Sequence, residues 1–141
     1  MTDYPLTGGC NCGAVRFEVT EPLVYAYYCH CTRCQRRSGS GAAPGAIPAP
    51  GSFKVLEGEE ALQRWNAGDG FDKVFCSKCG SHLFAASPDN PELAAIRMGA
   101  FDGDPGIRPT RRHFTNYAAV WEPIPDDDPL ERFPESLMEG N

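Results

Sequence analysis

Apolar and polar residues alternate through Ala14-Val15-Arg16-Phe17-Glu18-Val19, the period of a strand with one buried face. Glu21-Pro22 interrupts it, and Leu23 to Tyr28 follows as a short aromatic strand. The strand pattern returns in Phe53-Lys54-Val55-Leu56-Glu57, in His82 to Ala85 and in Leu93 to Met98. Ala61 to Trp65 and Phe71 to Phe75 flank Ala67-Gly68-Asp69-Gly70, so they read as the two arms of a hairpin. One helical turn is expected after Cys34, in Gln35-Arg36-Arg37-Ser38, with a glycine–serine loop beyond it. Ala42 to Gly51 reads as extended chain and turns, Gly99 to Pro109 as turns, and Trp65 and Trp121 as core. These elements predict a mainly β fold of small antiparallel sheets with few short helices.

After Trp121 the pattern changes. Residues 123–141 are acidic and proline-bearing, with Asp126-Asp127-Asp128 at the centre and Leu130 and Phe133 as the side chains able to dock. The expected organisation is one domain over residues 1–122 and a tail over 123–141, packed on it or extending from it. Fifteen glycines and thirteen prolines in 141 residues fit short strands joined by many turns. No run reaches the apolar length of a bilayer span, and the first residues lack a signal pattern, so the expected address is the cytoplasm with no membrane partner.

That address governs how the seven cysteines are read. Reducing compartments disfavour disulfides, and short paired spacings there point to metal. Cys10 and Cys12 form one pair, Cys76 and Cys79 another, and Cys29, Cys31 and Cys34 a triplet. The two pairs together offer four thiolates, a closed tetrahedral zinc site of structural type. The triplet offers three from one stretch of chain, leaving a fourth position to water, substrate or a distant histidine. His113 or His82 would close it as a structural site; an iron–sulfur cluster would want a fourth cysteine. His30, between two ligands, is expected to point away from the metal. Seven bound thiolates and two divalent ions would take the formal charge from −6 to −9, which disfavours a nucleic acid partner.

Gly9-Cys10-Asn11-Cys12-Gly13, Cys29-His30-Cys31-Thr32-Arg33-Cys34-Gln35-Arg36-Arg37-Ser38-Gly39 and Phe75-Cys76-Ser77-Lys78-Cys79-Gly80-Ser81 resemble the glutathione-dependent formaldehyde-activating enzyme family, which includes the centromere protein V-like proteins. Ile96 to Asp102 and His113 to Trp121 are also similar. The resemblance implies a beta-tent fold and two zinc ions per chain: a structural one on Cys10, Cys12, Cys76 and Cys79, and a catalytic one on Cys29, Cys31 and Cys34. It further implies a carbon–sulfur lyase of the S-(hydroxymethyl)glutathione synthase kind, joining a small thiol such as glutathione to an aldehyde such as formaldehyde. A thiol on the open position would become nucleophilic at neutral pH. The carboxylates of such a thiol need cations in an acidic protein; Arg36 and Arg37 are the candidates, Arg33 the third, with Ser38 and Ser40 as further donors. His113 is a candidate proton shuttle. The alternative is a non-catalytic zinc-binding module for a protein partner, with both ions structural.

Overall fold

A computed structural model describes residues 2–136. Its strands are β1 (Leu6–Gly9), β2 (Arg16–Val19), β3 (Tyr25–Cys29), β4 (Ala43–Ile47), β5 (Phe53–Glu57), β6 (Leu62–Trp65), β7 (Asp72–Cys76), β8 (His82–Ala86), β9 (Ala94–Arg97), β10 (Pro109–His113) and β11 (Glu131–Phe133). The α-helix, α1, spans Thr32–Ser38, and three short 3-10 turns complete the chain. The strands form a three-stranded sheet, β1-β2-β5, and an eight-stranded sheet, β11-β10-β3-β4-β9-β8-β7-β6. The mainly β expectation holds. Pairing is antiparallel except at one end of the larger sheet, where β10 runs parallel to both β3 and β11. Among the described residues no helix is long and apolar enough to cross a membrane.

The alternating residues of β2 explain how the sheets join. Phe17 and Val19 point inward with Val15 and are almost fully buried against Val74, Leu83 and Ile96 of the larger sheet. Each large apolar side chain buried this way contributes about 1.5–3 kcal/mol. Phe17 meets Phe53 and Phe101 edge-on, at 5.5 and 5.6 Å between ring centroids. Gly8 permits this approach, because a Cβ there would run into the Phe17 ring and the Ala100 carbonyl.

β4 forms within the segment expected as extended chain and turns, and β1, β10 and β11 form where no strand was expected. In β4, Ala43-Pro44-Gly45-Ala46-Ile47 is a poor strand former, held as one by β3 on one side and β9 on the other. Pro44 falls outside the short ladder with β9, so its missing N–H removes no bond there. Trp65 and Trp121 are not core: they are 53% and 67% exposed, Trp65 on the edge strand β6 and Trp121 in a turn. Of the tail, Asp128 pairs with Arg112 and Phe133 is buried from β11, while Leu130 is only half-covered. Residues 137–141 of that tail lie outside the described residues.

Candidate metal centres and their surroundings

Two matching turns build the first centre. Gly13 N–H returns to the Cys10 carbonyl and Gly80 N–H to the Cys76 carbonyl, with both glycines left-handed at φ 80° and 79°. The sulfurs of Cys10, Cys12, Cys76 and Cys79 all lie within 4.8 Å of one another. Cys10–Cys12 and Cys12–Cys76 are 3.6 and 3.8 Å apart. A tetrahedron with metal–sulfur bonds of about 2.3 Å requires sulfur separations of about 3.8 Å. The backbone N–H groups of Val15 and Lys78 point at the Cys10 and Cys76 sulfurs, at 3.2 and 3.4 Å, an arrangement that favours thiolates. This donor set fits a metal ion.

The second centre grows out of β3 and α1. Cys29 ends the strand, Cys31 caps the helix, and Cys34 is buried in its first turn. The helix thus begins at Thr32, inside the triplet, rather than after it. Cys31 is extended at φ −64°, ψ 154°, and its sulfur accepts the Cys34 N–H at 3.3 Å. That reversal from strand to helix folds three sulfurs, two and then three residues apart along the chain, to within 4.8 Å of one another. As free thiols they share charge unevenly. Hydrogen bonds from Cys29 and Cys34 push Cys31 down, while the contacts of Cys29 with Cys31 and Cys34, and then burial, push Cys29 up. Among the described residues no histidine or carboxylate joins the trio as a fourth mutual neighbour within 4.8 Å.

The three histidines occupy other positions. His30 is buried, with Nε2 3.2 Å from the Arg112 guanidinium; Arg112 is gripped in turn by both Asp128 oxygens at 2.9 Å. Its backbone is tied down as well, N–H to the His113 carbonyl and C=O to the Gln35 amide. His113 stacks on Tyr27 at 4.5 Å, under Phe133. His82 opposes Phe75 across the β7–β8 ladder. Phe114, packed near the triplet, has φ 59°, an uncommon conformation for a bulky residue, which turns the chain sharply after β10.

The proposed carboxylate-binding residues separate. Arg36 is exposed on the last turn of α1. Arg33 is paired with Asp69 at 2.6 Å. The Ser38 hydroxyl donates to the Cys34 carbonyl at 2.7 Å and contacts Ser40, so it completes the helix end. Arg37 alone turns inward: it donates to the Val74 carbonyl at 3.2 Å and lies 5.7 Å from the Phe75 ring centroid. Burial, with Arg97 nearby, holds its pKa down to about 10. Lys73 and Arg97 stand with it, and both interact electrostatically with Cys34. Sequence reasoning passed over these two. The signal for Arg97 was its lone charge in the apolar run Leu93 to Met98.

The sequence profile of the glutathione-dependent formaldehyde-activating enzyme family matches residues 5–117. The chain belongs to this family. A Halomonas elongata protein named "Putative glutathione-dependent formaldehyde-activating enzyme" is 34% identical over 114 residues, covering 77% of this chain and 73% of that protein. A Sordaria macrospora protein of the same name is 24% identical over 95 residues, 57% of this chain but 36% of the relative. The crystal structure of a Rhodobacter sphaeroides protein matches with a TM-score of 0.57 and 30% identity, covering 70% of this chain and 89% of that one. Family membership therefore accords with the cysteine pattern and with the mainly β architecture.

Proposed function

We propose that the chain is a zinc-dependent carbon–sulfur lyase that forms or cleaves the adduct of a small thiol, glutathione or similar, with formaldehyde or a similar aldehyde. The observation that carries this reading is the gathering of Cys29, Cys31 and Cys34 within 4.8 Å of one another with no fourth mutual ligand from the described chain. Cys10, Cys12, Cys76 and Cys79 would hold a second, structural zinc ion. A zinc ion on the triplet would supply an open position at which a substrate thiol loses its proton.

The chain's residues do the rest. Cys29, Cys31 and Cys34 would hold the ion at the start of α1, and Arg112 with Gln35 keeps His30 from swinging toward it. In the forward direction the substrate sulfur donates a pair to the aldehyde carbon, the C=O π pair moves to oxygen, and that oxygen takes a proton. The reverse step returns the proton, reforms the carbonyl and breaks the C–S bond. Of the arginines first expected, Arg37 is the one that turns inward and interacts electrostatically with Cys34, so it is the candidate to meet the thiol's carboxylate.

Exchange spectroscopy tests the proposal. The zinc-loaded protein should accelerate exchange between glutathione, formaldehyde and S-(hydroxymethyl)glutathione, and Cys31→Ser should abolish the acceleration while remaining folded. Exchange at the uncatalysed rate with both ions bound would favour a non-catalytic interaction module.

A further inference from the structure

Lys73, Arg97 and Arg37 converge on one face of the larger sheet. Cross-strand register sets Lys73 beside Ala85, Ala85 beside Ala95, and Arg97 beside Gly45, whose other neighbour is Tyr27. These neighbours are small for a reason visible at Gly45, where a Cβ would press on the Tyr27 ring and hydroxyl. Ala43, Ala85 and Ala95 pack with Cys29 and Cys34, so the small side chains leave room for long cationic ones to lie across the sheet toward the triplet.

Those cations are incompletely satisfied. Lys73 reaches a single backbone carbonyl, that of Phe71, at 2.8 Å. Arg37 Nε and the Nη1 of Arg97 are buried with no hydrogen-bond partner among the described residues. Arg97 and His82 also wall an open cavity of about 210 Å³, rimmed by Gly9, Asn11, Ser81 and Gly99. Buried guanidinium N–H groups cost free energy unless something accepts from them. Among the described residues, the carboxylates that pair with arginine lie elsewhere, on Arg16, Arg33, Arg64, Arg108 and Arg112.

Charge counting points the same way. Three thiolates around a divalent ion carry one net negative charge, and three cations exceed it by two. A thiolate substrate leaves one positive charge unmatched, enough for one net carboxylate. A neutral thiol would leave the cluster unbalanced inside a partly buried site.

We infer that Arg97, with Arg37 and Lys73, is the receptor for a carboxylate of the substrate thiol, making this centre selective for anionic thiols over neutral ones. This rests on the open-site reading above. The cavity beside Arg97 and His82 takes the carboxylate-bearing end, and the Cys34 side takes the sulfur.

Cobalt-substituted protein, titrated with glutathione, glutathione diethyl ester and 2-mercaptoethanol, tests the assignment through the visible bands. Glutathione should act at a concentration about tenfold or more below that of the ester, the scale of one charge-assisted pair. Arg97→Gln should erase that advantage while the 2-mercaptoethanol midpoint and the two-ion stoichiometry stay unchanged; Lys73→Gln should reduce it in part. Equal midpoints for glutathione and its ester in the wild-type protein, with all thiols shifting the bands, would overturn the receptor and leave the open site standing. If no thiol shifts the bands, the open-site reading falls, and calorimetry with S-methylglutathione decides the receptor alone. Heat that disappears in Arg97→Gln supports it, and no heat in the wild-type protein overturns it.

Discussion

His113 lies between the Tyr27 and Phe133 rings, almost fully buried, and both of its ring nitrogens lack a partner among the described residues. Burial first, then the charge of Arg111, holds its pKa down to about 4 from an ordinary 6.5. The unfolded chain binds a proton here as pH falls below 6.5, whereas the folded one resists until about 4. The neutral ring's contribution to stability is therefore whole above 6.5, erodes as pH falls, and is gone below the folded value. His113→Phe should keep the stacking and flatten the pH dependence of the urea midpoint in that window, by up to about 1.4 kcal/mol per pH unit. Thiolate protonation adds a slope common to both proteins, so the difference is the readout; identical slopes would mean His113 is not the cause. A proton-shuttle role for His113, plausible from its residue type alone, has no support in this sandwich of aromatic rings.

At the scale of elements, β11 straps the end of the chain onto β10, and Asp128 holds Arg112 beside His30 and over the Tyr28 ring. Asp128→Asn weakens that grip and lets the backbone between Cys29 and Cys31 relax. The triplet ion should then be lost to chelator at about tenfold lower concentration, with the four-cysteine ion unaffected. Equal loss of both ions would show that the strap acts on the whole fold. How far such elements could be read in the sequence depended on whether they bury one face against a core. β2 does so and alternation marked it; turn residues marked the β6–β7 hairpin, and continuous apolar runs marked β8 and β9, which are buried on both faces. β10 was hidden because Pro109-Thr110-Arg111-Arg112-His113 is polar and pairs in parallel with strands distant in sequence. The seven sulfurs divided as their spacing suggested, since local turns bring each cluster together. Lys73 and Arg97 were hidden because only the register of separate strands aligns them.

On the scale of the whole molecule, Cys10 and Cys12 follow β1 of the smaller sheet, while Cys76 and Cys79 follow from β7 of the larger. A metal ion there would clasp one sheet to the other. Structural zinc sites supply about 10–16 kcal/mol in zinc-finger peptides, comparable with the net stability of a whole domain. Cys79→Ser should therefore collapse the dispersed amide spectrum, whereas Cys31→Ser should preserve it and lose one ion. Two equally unfolded variants would refute this division of labour between the centres.

The order of strands around β3 bears on how the protein matures as it is synthesised. All three sulfurs of the triplet are made by residue 34, yet β3 lies between β4 and β10, and β10 does not emerge until Pro109–His113. The nascent chain therefore carries these three thiols long before the neighbour that braces them exists.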